Sequence, residues 1–202
     1  MLIEQREKMQ VLMLSLCPAL LVCTTFINAI LMALVFLALL MLSTLTVSLC
    51  RNQLSPQHSL LGILLINASW AACLEMLAKV FFYELAMQLG FYLPLLAMNS
   101  FLLMALQSTA LLNTPGTAIP CHLRQGLFAV AVLCLTGLLR ELLGQGTMLD
   151  GVEYVSFLNL TTVELSYPGL EVLQSPAAVF LLLGLGYPLI DRFSWLMNIS
   201  RD

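Results

Sequence analysis

The chain has 202 residues, of which 60% are apolar and only 9% are charged, and its formal net charge is −3. A soluble domain carries about 25% charged residues, so this composition excludes a water-soluble protein and predicts that the whole chain is a membrane domain. The small acidic net charge excludes a basic surface for nucleic acid, so we expect lipid and not nucleic acid around the chain.

The apolar runs predict six membrane-spanning helices, because a bilayer core of about 30 Å needs about 20 helical residues to cross it. A short segment at residues 83–90, with polar groups on one face, is expected at the membrane interface. Asn28 and Ala29 are expected to connect spans one and two, and His58 and His122 both fall in predicted connections. Cutting at clusters of polar and turn residues gives spans at residues 11–29, 31–50, 59–80, 92–112, 125–143 and 177–195.

The basic residues are divided unevenly between the predicted connections, and they concentrate on the cytoplasmic side of membrane proteins. If residues 1–10 are cytoplasmic, six of the eight Lys and Arg residues lie on that side and only Lys79 and Arg140 lie outside. We therefore predict cytoplasmic N- and C-termini. The acidic segment at residues 144–176 is then the exported loop, and Arg140 and Glu141 are expected to anchor span five at the outer interface.

Spans one and four are both interrupted. Pro18 lies inside span one and Pro94 just inside span four, and both spans contain small or polar residues at positions that lipid-facing Leu or Val would occupy. Broken helices at corresponding positions of two halves indicate an inverted repeat with a site near mid-membrane. The predicted fold class is therefore an all-α polytopic membrane protein, a single domain over residues 1–202. Its six transmembrane helices form an inverted repeat of 3+3, at residues 11–80 and 92–196, with half-helices in spans one and four.

The two broken spans place one candidate residue each at a similar depth. At 1.5 Å per residue, Cys17 lies about 9 Å into span one and Ser100 about 12 Å into span four. The two spans enter from opposite faces in the predicted orientation, so both residues approach mid-membrane. Non-helical backbone survives at that depth only where protein or a cavity surrounds it.

Four segments, in order along the chain, are specific enough to compare with known families: Ser15–Pro18, Thr46–Arg51, Pro94–Ser100 and the twelve-residue segment Arg140–Gly151 (RELLGQGTMLDG). They resemble the RnfE (RsxE) subunit and the related NqrD subunit. The resemblance implies a membrane subunit of an ion-translocating electron-transport complex of the Rnf type, between ferredoxin and NAD(H), in the bacterial inner membrane. It also implies a homologous RnfA-like partner in inverted orientation, beside the other Rnf subunits of the B, C, D and G types.

The resemblance further implies a cofactor. In this family a Leu-Cys-Pro cysteine and an Asn-Cys cysteine from each of the two paired subunits hold a [2Fe–2S] cluster. Cys17 matches the first motif, whereas Asn99 is followed by Ser100 at the position of the second cysteine. The implied iron ligands of this chain are therefore Cys17 and Ser100. A hydroxyl is a poorer ligand than a thiol, so a cluster that includes Ser100, an altered cluster and no cluster all stay open.

The expected function is that of a subunit with no catalytic site of its own, because no complete catalytic constellation is found in the sequence. Flavin, nicotinamide or ferredoxin chemistry is expected on partner subunits. Two alternatives stay open beside this prediction. One is a stand-alone secondary transporter that binds a small solute between the half-helices, and the other is a cofactor-free assembly subunit of the same complex.

Overall fold

The structure is a computed structural model, and it describes residues 15–53, 58–81, 83–110, 114–148, 163–164, 171–175, 177–180 and 184. The predicted cytoplasmic N-terminus at residues 1–10, most of span six and much of the predicted exported loop lie outside these residues.

The described residues are mostly helical, as predicted. The α-helices are α1 (Cys17–Val22), α2 (Phe26–Cys50), α3 (Ser59–Phe81), α4 (Tyr83–Leu89), α5 (Tyr92–Leu95), α6 (Ser100–Ala105) and α7 (Pro115–Gly144). A 3-10 turn (Leu96–Met98) follows α5, a π-helical turn (Leu106–Ala110) follows α6, and a second 3-10 turn covers Glu171–Gln174. Within the predicted exported loop, β1 (Thr147–Met148) pairs antiparallel with β2 (Val163–Glu164), a small exception to the all-α prediction.

Three of the described helices, α2, α3 and α7, are long and apolar enough to cross a membrane. They correspond to predicted spans two, three and five, and α3 begins at the predicted residue. Large apolar side chains such as Leu65 and Val80 are exposed on α3, as is usual for a helix whose solvent is lipid. The chain is thus a multi-pass membrane protein, while the six-span inverted repeat stays a prediction.

Two predicted boundaries are wrong. Spans one and two are connected at residues 23–25 and not at Asn28 and Ala29, because the Thr25 hydroxyl accepts a hydrogen bond from the Asn28 backbone N–H and caps α2. Helix α7 begins at Pro115 instead of residue 125. Proline is favoured in the first helical turn, where its missing N–H costs nothing.

Helices α2 and α7 form the centre of the fold and run antiparallel. A Cβ atom built on Gly137 would lie 2.4 Å from the Ala29 Cβ, and one built on Gly126 would lie 2.7 Å from the Leu37 Cδ1. The two helices therefore approach most closely at Gly137, where a side chain would meet the Ala29 Cβ and the α2 backbone, whereas at Gly126 the neighbouring atoms are the ends of leucine side chains.

Candidate functional site at two helix breaks

The first break follows the half-helix α1, which carries Cys17 at its first residue. Pro18 occupies the first turn of α1, where proline favours a helix start, and the helix ends at Val22. The Cys17 side chain is only 8% exposed and belongs to the main hydrophobic core. Cys23 is fully buried, and its thiol donates a hydrogen bond to the Ala19 carbonyl oxygen at 3.3 Å. The two thiols therefore have different environments, because the Cys23 thiol already has the Ala19 carbonyl as a hydrogen-bond partner.

Arg140 holds the carboxyl end of α1 in place. Its side chain is 1% exposed, so the prediction of an anchor at the outer membrane interface is wrong. The guanidinium group binds two sets of backbone carbonyls, where the negative end of the helix dipole favours a cation. Nη1 lies 3.2 Å from the carbonyl oxygens of Leu20, Leu21 and Cys23, while Nε and Nη2 lie 2.8 to 3.4 Å from those of Leu173, Gln174 and Ser175.

Glu141 binds the other side of the same break. Its Oε2 atom accepts a hydrogen bond of 2.6 Å from the Phe26 backbone N–H, in the first turn of α2. A carboxylate at this end complements the positive end of the helix dipole. Two neighbouring residues of α7 thus fix both helix ends at the first break, Arg140 the end of α1 and Glu141 the start of α2.

The second break lies at Asn99, between the 3-10 turn and α6. Asn99 has extended backbone angles, and its side-chain oxygen accepts a hydrogen bond of 2.9 Å from the Phe101 backbone N–H. This contact caps α6, of which Ser100 is the first residue. Asn67 of α3 is fully buried and donates a hydrogen bond of 3.4 Å to the Ala97 carbonyl oxygen, just before the break. The predicted interruption of span four is therefore present, stabilised by two asparagine amides.

Both breaks lie against one hydrophobic core. Helix α1 packs against α5, and the Phe36 ring of α2 contacts the Phe101 ring of α6 at a centroid distance of 5.5 Å. Cys17 is part of this core, whereas the Ser100 side chain is exposed on the surface of the described chain. An exposed Ser100 leaves its oxygen accessible to a neighbouring protein.

The donor set of this chain fits a shared cluster in part. Iron–sulfur clusters need four ligands, and thiolates are the usual ones. In the part of the chain that the structure describes, no three His, Cys, Asp or Glu side chains form a group that could hold a metal. Cys17 offers one thiol beside the first break and Ser100 one hydroxyl beside the second, so the remaining ligands of a four-ligand cluster would have to come from a second protein chain.

Comparison with known proteins identifies the family. The family described as "Rnf-Nqr subunit, membrane protein" matches residues 3–186. The chain belongs to the Rnf-Nqr subunit family. It is 34% identical over 141 residues, 70% of this chain, to the E-type subunit of the ion-translocating oxidoreductase complex of Aliivibrio fischeri strain MJ11, and the match covers 62% of that relative's length.

Two further relatives of this Rnf-Nqr chain are E-type subunits of complexes with the same name. The relative from Vibrio vulnificus is 31% identical over 171 residues, which cover 82% of this chain and 74% of the relative. The relative from Pseudomonas paraeruginosa is 33% identical over 184 residues, which cover 89% of this chain and 77% of the relative. The resemblance predicted from the four sequence segments is therefore confirmed at the level of the family.

The sequence-based prediction gave the wrong role to Arg140 and Glu141, which it placed at the outer interface, and it did not single out Asn67. All three residues are polar and lie in apolar segments, where a polar side chain must find a partner. Their partners are backbone groups distant in sequence, and only the fold shows them.

Proposed function

We propose that this chain is the E-type membrane component of an ion-translocating oxidoreductase complex. It lies in the bacterial inner membrane with both termini cytoplasmic, spans it six times as a 3+3 inverted repeat, and pairs with a homologous RnfA-like subunit in inverted orientation. The complex transfers electrons between ferredoxin and NAD(H) on its other subunits and couples the transfer to ion movement. The names of the relatives support membership of such a complex. The resemblance of the four sequence segments to RnfE supports ferredoxin and NAD(H) as the electron donor and acceptor.

The observation that carries this proposal is the pair of helix breaks, each bound by buried polar side chains. Breaking a helix in hydrocarbon leaves backbone groups without partners, and each such group is costly to bury. Here Arg140, Glu141, Asn67 and Asn99 provide those partners. Four buried polar side chains stabilise the two helix breaks. This indicates that the breaks serve function, as they do in membrane proteins whose binding site lies between half-helices.

We also propose that Cys17 is a ligand of a [2Fe–2S] cluster shared with the partner subunit, with Ser100 at the position of the second ligand. Such a cluster accepts and gives up one electron at a time. This chain's own contribution is to hold the Cys17 thiol at the start of α1, and Arg140 holds the other end of that half-helix. The surrounding apolar core excludes water from the thiol.

The test is metal analysis of the purified pair formed by this chain and its homologous partner. We expect about two irons and two acid-labile sulfides per pair, and higher occupancy in the Ser100→Cys variant, which supplies a thiol in place of the hydroxyl. Absence of iron and sulfide from both proteins would refute the cluster and favour a cofactor-free assembly role. Saturable uptake of a solute into vesicles by this chain alone would instead favour a transporter.

A further inference from the structure

A second polar site lies between α2 and α7, away from the two helix breaks, and its centre is His122. The sequence predicts a connection at this residue, but the structure places it in the second turn of α7, with a fully buried side chain. Along the axis of α7, His122 lies about 10 Å from Pro115, where the helix begins. An ionisable side chain inside a membrane span is costly to bury and is a candidate for function by default.

The hydrogen bonds of the neighbouring Thr44 define which ring nitrogen of His122 carries a proton. The Thr44 hydroxyl donates its single proton to the Leu40 carbonyl oxygen at 2.6 Å. The same oxygen lies 2.7 Å from the His122 Nδ1 atom. When that hydroxyl gives its one proton to Leu40, it can only accept from Nδ1. We therefore assign the proton of the neutral imidazole to Nδ1, which leaves a lone pair on Nε2.

The lone pair on Nε2 has no partner among the described residues, and the Nε2 atom is buried. The ring also lies beside the Ala105 backbone carbonyl, where α6 passes into the π-helical turn. A carbonyl oxygen can only accept a hydrogen bond, so a proton added at Nε2 would supply the donor that this pair lacks.

We propose that His122 is a proton-binding site within the membrane-spanning helices. The imidazole takes up a proton at Nε2, becomes an imidazolium, and donates a new hydrogen bond toward the Ala105 carbonyl of the second broken span. Release of the proton breaks that bond and restores the Nδ1–H form held by Thr44. Proton binding at His122 would thereby affect α6, the helix that follows Asn99. This proposal does not depend on whether Cys17 binds a cluster.

Few charged groups lie close to this site. The facing stretches, residues 40–47 of α2 and residues 100–108 of α6 and its π-helical turn, contain no titratable side chain. On α7 itself the neighbouring titratable residues are Cys121 and the exposed Arg124, and at the end of α2 they are Cys50 and Arg51. The facing stretches contain no carboxylate that would fix the imidazolium permanently, so the proton can be exchanged.

The experiment is solid-state NMR of the full chain in lipid bilayers with ¹⁵N-labelled histidine. Only two histidines occur in the sequence, and the exposed His58 serves as an internal reference. At high pH we expect His122 to show a protonated Nδ1 and a bare Nε2. As the pH falls from about 8 to 5, the Nε2 resonance should move to that of a protonated nitrogen in a single step.

Two matched variants distinguish an effect on the contact between Thr44 and His122 from a general effect on α2. Thr44→Val removes the hydroxyl that fixes the neutral form, so His122 should then show a mixture of both neutral forms. Thr46→Val makes the same change two residues further on, where the hydroxyl bonds to Leu42 and to Trp70 of α3, and should leave the His122 resonances unchanged.

The proposal is wrong if His122 stays neutral throughout this pH range, or if its proton lies on Nε2 in the native chain. It is also wrong if the His122 resonances respond to sodium ions at constant pH, since the site would then bind a metal cation instead of a proton.

Discussion

Replacement of Arg140 by Met should release the half-helix α1 from α7. Met retains an apolar side chain of similar length but no donor, so six backbone carbonyl oxygens lose the guanidinium nitrogens that now lie 2.8 to 3.4 Å away. A buried acceptor left without a partner costs about 1 to 3 kcal/mol, and several acceptors lose their donor at once. We therefore expect the free energy of local opening at α1 to fall by about 3 kcal/mol or more.

The buried thiol of Cys23 reports this opening. Cys23 lies directly after α1 and is fully buried, whereas Cys73 of α3 is exposed. A maleimide reagent reaches Cys23 only when the segment opens, so its rate of modification follows the opening equilibrium. A change of about 3 kcal/mol corresponds to an increase of about 100-fold. The assay measures maleimide adducts on Cys23 by mass spectrometry of the full chain in lipid, relative to those on Cys73.

The matched control is Arg124→Met, the same change at an exposed arginine of α7. It should leave the ratio of Cys23 to Cys73 modification within about twofold of that of the unaltered chain, since exposed charged side chains contribute little. Equal modification of Cys23 in Arg140→Met and in the control would show that the guanidinium group does not hold α1, and would refute the structural account of the first break.

Two further substitutions test the contact between α2 and α7. Gly137→Ala would place a Cβ 2.4 Å from the Ala29 Cβ, so we expect the free energy of unfolding in detergent to fall by about 1 to 3 kcal/mol. The control is Gly116→Ala, whose new Cβ has no atom within 4 Å and which should leave the free energy of unfolding unchanged. Equal effects would contradict the close approach of the helices. Glu141→Ala removes the acceptor of the Phe26 N–H and should lower stability by about 1 to 2 kcal/mol. Glu141→Gln keeps an oxygen acceptor and should cost less, and the opposite order would exclude the proposed bond.

Local sequence patterns predicted much of the helical organisation. The apolar run that begins at residue 59 predicts the start of α3 at Ser59, and the interruption of span four lies among its small and polar residues. These features depend on residues adjacent in sequence, which is why a single sequence reveals them.

The failed predictions depend on contacts between distant residues. Asn28 looked like a turn residue, but its amide lies within α2 and donates a hydrogen bond of 3.2 Å to the Gln88 Oε1 atom of α4. Pro115 looked like part of a loop, yet it begins α7 and thereby buries His122 against Thr44. In both cases a polar residue has its partner on another helix, and the sequence does not show which one.

The same limit applies to the candidate site. Proline and polar residues mark both breaks in the sequence, and depth in the broken spans together with the family resemblance selects Cys17 and Ser100 as candidate ligands. The role of Arg140 could not be predicted in this way, because its acceptors are backbone carbonyls of residues 20–23 and 173–175 and have no sequence pattern of their own.

The most direct test of the proposed role of this chain is an electron paramagnetic resonance spectrum of its reduced pair with the homologous partner. Cys17→Ala removes the proposed ligand, and Cys23→Ala removes the neighbouring buried thiol, whose partner is the Ala19 carbonyl. We predict a cluster signal in the unaltered pair and in Cys23→Ala, and its loss in Cys17→Ala. A signal that persists unchanged in Cys17→Ala would contradict the assignment of Cys17 as a cluster ligand.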